Sequence, residues 1–259
     1  MDLGIQGRWA IVCGSSQGLG LACARSLAAE GVNIVLNGRD PDKIQNVALM
    51  LHESSGVTVL GIAADLDTAI GRTTLLDSCA EPDILITNNA GPAPAAFGDV
   101  THAAWHAALE ANLLSAIVLV QAVLPGMQSR RFGRIVNITS AMVKSPHGLM
   151  TPSVAARTAL TGVMKAISRD VVADNVTINN LLPERIDTDR QRQMAELAVT
   201  FRGITLDEAY AEIAATIPAG RFGRPDEVGD ACAYLCSSQA GYVTGQNLQL
   251  DGGAYEGVF

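Results

Sequence analysis

The sequence predicts an α/β protein with a doubly wound, seven-stranded parallel sheet and helices on both faces of that sheet. Short apolar runs bounded by Gly, Pro, Asn or Asp alternate with longer helical patterns, which is typical of parallel strands joined by covering helices. The composition agrees, because 48% of the 259 residues are hydrophobic and only 4% are aromatic. Ala, Val, Leu and Ile therefore build the core, as they do in buried parallel sheets. No polar linker divides the chain, so we expect one domain over residues 1–259.

The seven strands are predicted from short apolar runs at residues 9–13, 33–36, 57–63, 84–87, 135–138, 177–182 and 247–250. Helical patterns occupy residues 19–30, 41–53, 103–130, 154–173 and 226–236. Asp40 followed by Pro41 predicts a helix start, because Asp caps helices and Pro is preferred at the first helical position. Residues 190–217 differ, since two helical patterns separated by a turn at Gly203 follow each other without a strand. We expect this segment to be an insertion near the substrate.

Charge and cysteine usage exclude several classes of function. The net charge is −8 and no Lys/Arg run is longer than two residues, so we expect neither a nucleic-acid partner nor a membrane partner. The five cysteines form no CxxC pair and the first residues do not resemble a signal peptide, so we expect a cytoplasmic protein. The longest apolar stretch, residues 113–124, is too short to span a bilayer. We predict no metal site.

A glycine-rich turn follows the first strand and opens directly into a helix. Gly14 lets the chain reverse, Gly18 lets the backbone approach a pyrophosphate, and Gly20 lets the helix pack on the strand. The free N–H groups of the helix N-terminus favour the phosphates. We therefore predict a Rossmann-type dinucleotide site. Its turn comprises Gly14, Ser15, Ser16, Gln17, Gly18, Leu19 and Gly20.

The glycine spacing Gly14-x3-Gly18-x-Gly20 resembles that of the short-chain dehydrogenase/reductase family. The segments 88–91, 137–140, 183–188, 220–225 and 251–253 resemble further motifs of that family, so the resemblance covers essentially the whole chain. It is closest to 3-oxoacyl-acyl-carrier-protein reductases. The loop 183–188 departs from the pattern, with Glu184 where glycine is usual. The resemblance implies cofactor contacts from Asp65, Leu66, Asn89, Ala90, Gly91, Arg157, Pro183, Ile186 and Thr188.

The end of the second strand indicates which nicotinamide cofactor is bound. An acidic residue there would accept hydrogen bonds from the ribose 2′-OH of NAD. The chain has Asn37, Gly38 and Arg39 instead, and a guanidinium can hold a 2′-phosphate in its fork. NADP is therefore favoured and NAD is less favoured. The alternative is that Arg39 only faces solvent.

The catalytic residues depart from the family pattern. The resemblance places Ser140 at the catalytic serine and Asn112 at the active-site asparagine, and the family's Tyr and Lys positions fall on Ser153 and Arg157. A Ser hydroxyl is a much weaker acid than a Tyr hydroxyl, whose pKa is about 10. Arg157 keeps the positive charge but does not readily release a proton. The sequence therefore predicts a site that keeps its electrostatics and lacks the usual proton donor.

Two side chains in the loop after Ser140 are candidates for a substitute proton donor. Histidine side chains in general exchange protons near neutral pH and lysine side chains do so only at much higher pH, so His147 is the more natural donor and Lys144 the less natural one. The alternative is that both are solvated loop residues. A water held by Asn112 and Ser140 is a further possibility.

Three functions remain open. The first is an NADP(H)-dependent carbonyl reductase or alcohol dehydrogenase that acts on a small-molecule carbonyl or alcohol. The second is an inactive cofactor-binding homologue that serves as a sensor or partner subunit, and the third is different chemistry on the same scaffold. Apolar helices at 109–124 and 154–167 and the last strand resemble the family's subunit interfaces, so we expect a homotetramer. The same apolar stripes are also compatible with plain core helices.

Overall fold

The computed structural model describes residues 2–258, and within them seven strands form one parallel sheet. The strands are Trp9–Val12 (β1), Asn33–Gly38 (β2), Val59–Ala63 (β3), Ile84–Thr87 (β4), Gly133–Ile138 (β5), Val176–Pro183 (β6) and Asn247–Leu250 (β7). Their order across the sheet is β3-β2-β1-β4-β5-β6-β7. The order reverses between β1 and β4, and ligands of such sheets bind at this switch point, beyond the carboxyl ends of the strands. The predicted fold class is confirmed, and each predicted strand end lies within two residues of the observed one.

Helices cover both faces of the sheet. They are Gly18–Ala29 (α1), Pro41–Ser55 (α2), Ala69–Asp77 (α3), His102–Leu109 (α4), Ser115–Ser129 (α5), Thr151–Val171 (α6), Asp189–Arg202 (α7), Leu206–Ala215 (α8) and Pro225–Cys236 (α9). Successive strand residues point to opposite faces, so Ala10 and Val12 pack with α1, α2 and α9, whereas Ile11 packs with α3, α5 and α6. Two hydrophobic cores therefore enclose the sheet. Sequence analysis missed α3, a short helix that starts at the Thr68 cap.

One long helix combines α4 and α5 through a π-helical turn at Glu110–Leu114. The combined helix His102–Ser129 is long and apolar enough to cross a membrane by length and composition, so the sequence argument from the short stretch 113–124 does not hold. The apolar character has another explanation here. One face of α5 is buried in the second core through Leu119, Val120 and Val123.

The segment 190–217 contains the two predicted helical patterns. Asp189–Arg202 (α7) ends at Gly203, which has a φ of 66°, a conformation that glycine adopts without steric cost. Leu206–Ala215 (α8) then begins with a capping box formed by Thr205 and Glu208. The two helices follow β6 and place the start of α7 beside the carboxyl ends of the strands.

Candidate active site

The turn between β1 and α1 has the conformation that a bound pyrophosphate requires. Gly14 and Gly18 have φ values of 54° and 59°, which glycine adopts far more readily than other residues. A Cβ on Gly20 would lie 2.4 Å from the Gly14 carbonyl oxygen, whereas a Cβ on Gly18 would meet no atom within 4 Å. The turn is therefore packed on its inner side and open on its outer side. This shape fits a dinucleotide.

Two predicted cofactor residues support this turn from inside the protein. The Gly14 N–H donates to Oδ1 of Asn37 (3.2 Å), and the Asn37 side-chain amide donates to the Ala64 carbonyl (3.0 Å). The Ser15 hydroxyl donates to the Val12 carbonyl (2.7 Å) and accepts from the Asn37 N–H (2.9 Å). Both side chains are fully buried. Ser15 and Asn37 therefore act on the cofactor site through the position of the turn.

The end of β2 presents positive charge to solvent. Gly38 packs closely on Ser16, because a Cβ there would lie 3.1 Å from the Ser16 Cβ. Arg39 is exposed and has no hydrogen bond or ion pair with any described residue. Sequence analysis missed Lys43, whose ammonium donates to the Gln17 side chain. The helix start predicted for α2 was the available signal, since it places Lys43 in the first turn beside the glycine-rich turn.

The loops after β3 and β4 are connected to each other. Asp65 is exposed, and its carboxylate accepts from the Asp67 N–H (3.1 Å), while Leu66 is buried. The Asn89 amide donates to the Asp67 carboxylate (2.8 Å) and to the Ala111 carbonyl (3.1 Å). Asn89 therefore joins these loops to the π-helical turn.

Asn112 lies in that π-helical turn and is buried. Its side-chain amide donates to the Ala90 carbonyl (3.1 Å). Single π-turns inside α-helices are frequent at functional sites, because the extra residue turns a side chain away from the regular helix face. The turn here directs Asn112 toward the loop that contains Gly91.

A cavity of about 470 Å³ lies beyond the carboxyl ends of the strands. Its wall includes more than half of the predicted site residues: Gln17, Gly18, Leu19, Asn89, Ala90, Gly91, Ser140, His147, Ser153, Arg157, Pro183, Ile186 and Thr188. The cavity therefore brings the cofactor turn and the predicted catalytic positions together. The other predicted residues lie outside this wall: Gly14, Ser15, Ser16, Gly20, Asn37, Gly38, Arg39, Asp65, Leu66, Asn112 and Lys144.

Ser153 and Arg157 lie one helical turn apart at the start of α6, and the Arg157 guanidinium donates to the Ser153 hydroxyl. Ser153 is only 2% exposed. Burial, with a smaller contribution from the nearby Arg190 charge, lowers the pKa of Arg157 to about 10. Arg157 therefore remains protonated at neutral pH and supplies a fixed positive charge, while Ser153 accepts its hydrogen bond.

A second, small cavity of about 20 Å³ lies behind Arg157 and is also lined by Asn112 and Ser115. This volume has room for one water molecule, and its polar wall suits one. Arg157 lines both cavities, whereas Asn112 lines only the small one and Ser140 only the large one. Burial raises the pKa of Cys13, in the same small wall, to about 12, which leaves its thiol protonated.

The remaining candidates for proton transfer differ in position. The Ser140 hydroxyl accepts from the Met142 N–H (3.2 Å) and lines the large cavity. His147 also lines it, and Nδ1 of its ring accepts from the Leu149 N–H (3.3 Å). Lys144 is not part of the cavity wall, and its ammonium lies 5.3 Å from the ring centroid of Tyr255. His147 is therefore better placed than Lys144 to act on a ligand in the cavity.

The loop after β6 and the start of α7 add wall residues that were not individually predicted, although Arg190 and Gln191 belong to the segment 190–217 expected near the substrate. Glu184, Arg185, Arg190 and Gln191 line the large cavity together with the predicted Thr188, which caps α7. Arg185 has a φ of 51°, an unfavourable conformation for a residue with a side chain. The position of Arg190 and Gln191 directly after the predicted cofactor loop was the available signal.

Comparison with known proteins identifies the family. Residues 14–255 match the family model described as Enoyl-(Acyl carrier protein) reductase. The chain therefore belongs to the short-chain dehydrogenase/reductase family.

Similar individual proteins include the NADPH-dependent reductase BacG of Bacillus subtilis, which is 33% identical over 97% of this chain and 99% of its own length. The 3-oxoacyl-[acyl-carrier-protein] reductase FabG of Escherichia coli is 29% identical over 98% of this chain and 99% of its own. Among solved structures, L-sorbose reductase from Gluconobacter frateurii, complexed with NADPH and L-sorbose, has a TM-score of 0.95 and 29% identity over both complete chains. The predicted enzyme class, a short-chain oxidoreductase, and the predicted cofactor, NADP, are confirmed by these comparisons.

Proposed function

We propose that this chain is an NADP(H)-dependent carbonyl reductase or alcohol dehydrogenase, related to 3-oxoacyl reductases, that works without the family's Tyr and Lys. The observation that carries the proposal is the Arg157–Ser153 contact in the wall of the cavity that the glycine-rich turn also lines. The contact occupies the place where the family resemblance puts the catalytic pair. The positive charge of Arg157 and the hydroxyl of Ser153 are present there, but the acidic phenol of the family's tyrosine is not.

The turn and the loops beside it are proposed to hold the cofactor. The pyrophosphate belongs at the N-terminus of α1 near Gly18, because that end offers free N–H groups and no Cβ obstructs it. Arg39 and Lys43 provide cations for a 2′-phosphate. The cofactor, when bound, supplies the hydride. Two structurally similar proteins, L-sorbose reductase and a 3-oxoacyl (acyl-carrier-protein) reductase, were solved with NADPH or NADP bound.

The protein's own residues orient and polarise the substrate. Arg157 stabilises negative charge on a substrate oxygen, because a fixed cation in a cavity of low dielectric acts strongly on developing charge. The hydroxyls of Ser140 and Ser153 orient that oxygen. None of the four tyrosines, all of which lie within residues 2–258, is part of the cavity wall. His147 is therefore the proposed proton donor, and water is the alternative.

A titration of cofactor fluorescence combined with a screen of 3-oxo esters tests this proposal. We expect NADPH to bind and at least one 3-oxo ester to be reduced. NADPH binding without any turnover would support an inactive homologue that acts as a sensor or partner subunit. The absence of both binding and turnover would contradict the proposal and favour different chemistry on this scaffold.

Reduction of a carbon–carbon double bond conjugated to a carbonyl is a second candidate. It is favoured by the same missing phenol and by the family description as an enoyl reductase. Such a reduction leaves negative charge shared between carbon and oxygen, which Arg157 can stabilise without a strong acid beside the oxygen. The screen therefore includes 2-enoyl esters, each matched to a 3-oxo ester of the same length.

The proposal also covers the oligomeric state of the protein and its location in the cell. Leu114 and Val118 expose large apolar side chains on the outer side of the long helix, and Leu248 does so on β7, the last strand of the sheet. Exposed apolar side chains and an uncovered sheet edge are typical of subunit interfaces. We propose a homotetramer in the cytoplasm. A monomeric mass by light scattering would contradict the assembly.

A further inference from the structure

Two arginines converge on one side of the large cavity. A Cβ placed on Gly91 would lie 3.4 Å from Nη1 of Arg157 and 3.8 Å from Nη2 of Arg190. Both guanidinium groups are therefore within 4 Å of one point beside the Gly91 backbone. They come from different elements, Arg157 from α6 and Arg190 from the first turn of α7.

Neither arginine has a carboxylate partner among the described residues. Arg157 donates to the Ser153 hydroxyl, and Arg190 donates to the Pro92 carbonyl at 3.0 Å. Burial is the main cause of the lowered pKa of Arg157, and the charge of Arg190 lowers that pKa further, as expected for two like charges held close together. Like charges in such an arrangement are typical of a site that an anion completes.

The surroundings contain a further unused donor and two acidic groups. Nε2 of Gln191 is buried without a hydrogen-bond partner, and its residue lines the same cavity. Glu184 and Asp189 also line the cavity, but neither forms an ion pair with a described residue. The two arginines therefore remain available to a ligand.

We propose that Arg190 and Arg157, which also acts on the reacting oxygen, together bind the carboxylate of an anionic substrate, so that the natural substrate is an oxo acid or hydroxy acid. This inference rests on the proposed function, since it names the substrate class of the same site. A guanidinium binds a carboxylate through two parallel hydrogen bonds, and a second guanidinium completes its coordination. The local positive charge also attracts an anion to a chain whose net charge is −8.

The cofactor pyrophosphate is the competing source of negative charge. The N-terminus of α1 already provides N–H donors for it, whereas Arg157 contacts Ser153 at the family's catalytic position. We therefore assign the arginine pair to the substrate, and the experiment below separates the two.

The test measures binding to the complex with NADP⁺, in which oxo compounds are not turned over. The probes are 2-oxohexanoate, 4-oxohexanoate and 5-oxohexanoate, each compared with its methyl ester by calorimetry. We expect at least one acid to bind about tenfold or more tightly than its ester, because only the acid pairs with both guanidiniums. The Arg190→Gln variant should reduce that preference to less than about twofold, and Arg190→Lys should restore part of it.

Arg192→Gln is the matched control. Arg192 lies on the same helix, pairs with Glu196 at 3.3 Å and is not part of the cavity wall, so this variant should keep the full preference for the acid. The NADPH dissociation constant of Arg190→Gln should stay within about threefold of the native value.

Two results would overturn the inference: no native preference for any acid over its ester, or a loss of NADPH affinity in Arg190→Gln as large as its loss of acid affinity. The second result would assign the pair to the pyrophosphate. Preferential acid binding without reduction of any acid would leave the carboxylate site standing, whereas the assignment of an oxo acid as the substrate would fall together with the proposed reductase.

Discussion

The cofactor half and the catalytic half of this site are held by different kinds of interaction. The turn at residues 14–20 depends on backbone conformation and close packing, including the contact of Gly20 with the Gly14 carbonyl. The half proposed to be catalytic contains two side chains, Ser153 and Arg157, on one face of α6. Such side chains can change while the helix stays in place. This difference between the two halves explains how a chain can keep the family's cofactor site while, as proposed, its catalytic pair departs from the family pattern.

The largest expected effect comes from restoring the family's pair. Ser153→Tyr combined with Arg157→Lys should raise the rate of 3-oxo ester reduction by roughly 10²–10⁴, the usual contribution of a positioned general acid. Steady-state kinetics with NADPH measures it. Arg157→Lys alone is the control and should give no such increase, because the acidic phenol is still missing. A double variant slower than the native protein would contradict this expectation and show that the donor already present, proposed to be His147, is more effective than the restored phenol.

The next largest effect is expected from a substitution that disrupts the cofactor half of the site. Gly20→Ala places a methyl group 2.4 Å from the Gly14 carbonyl oxygen, so the turn must move. We expect the NADPH dissociation constant to rise about 100-fold, equivalent to about 2.7 kcal/mol. Fluorescence titration measures the constant. Gly162→Ala is the matched control, since Gly162 also lies in a helix but a Cβ there meets no atom. Equal affinities of the two variants would contradict the packing argument.

A smaller effect concerns the choice between the two nicotinamide cofactors. NADPH should bind the native protein about tenfold more tightly than NADH, a difference of about 1.4 kcal/mol. Arg39→Asp should reverse this preference, because a carboxylate repels the 2′-phosphate and accepts a hydrogen bond from a free ribose. Competitive titrations with both cofactors measure it. An unchanged preference would assign the 2′-phosphate to Lys43, for which Lys43→Met is the next variant.

The smallest expected change, that of kcat in Lys144→Met, helps to distinguish the two loop candidates. Lys144→Met should change kcat by less than about twofold, because the ammonium lies over Tyr255 and outside the cavity wall. His147→Gln should lower kcat by roughly tenfold or more if the imidazole donates the proton. Rates of both variants at saturating NADPH decide between them. A larger loss in Lys144→Met than in His147→Gln would reverse the assignment.

The sheet and the cofactor turn could be predicted because their signals are local. Each strand is a short apolar run between turn residues, and three closely spaced glycines indicate the cofactor turn. The helix α3 gave no such signal, since it has only two buried residues, Gly71 and Leu75. Gly71 is needed there because a Cβ would collide with the Asp65 backbone, a contact that no local pattern reveals.

The catalytic half was only partly predictable, because its contacts join distant parts of the chain. The family resemblance and its motif spacing located Ser153 and Arg157, but not the approach of Arg190 from a helix more than thirty residues later. Likewise, Lys144 and His147 are close in sequence, and only the structure shows that His147 alone lines the cavity. Asn37 was expected to contact the cofactor, yet it is buried behind the turn.

We expect the cofactor half of the site to work independently of the proposed change in the catalytic pair. Calorimetric titration of NADPH into the native protein and into the Ser153→Tyr, Arg157→Lys double variant tests this directly. The account predicts dissociation constants that agree within about threefold, even where the rates differ by a hundredfold or more. A change in NADPH affinity as large as the change in rate would contradict this independence, since the Ser153–Arg157 pair would then contribute as much to NADPH affinity as to the reaction rate.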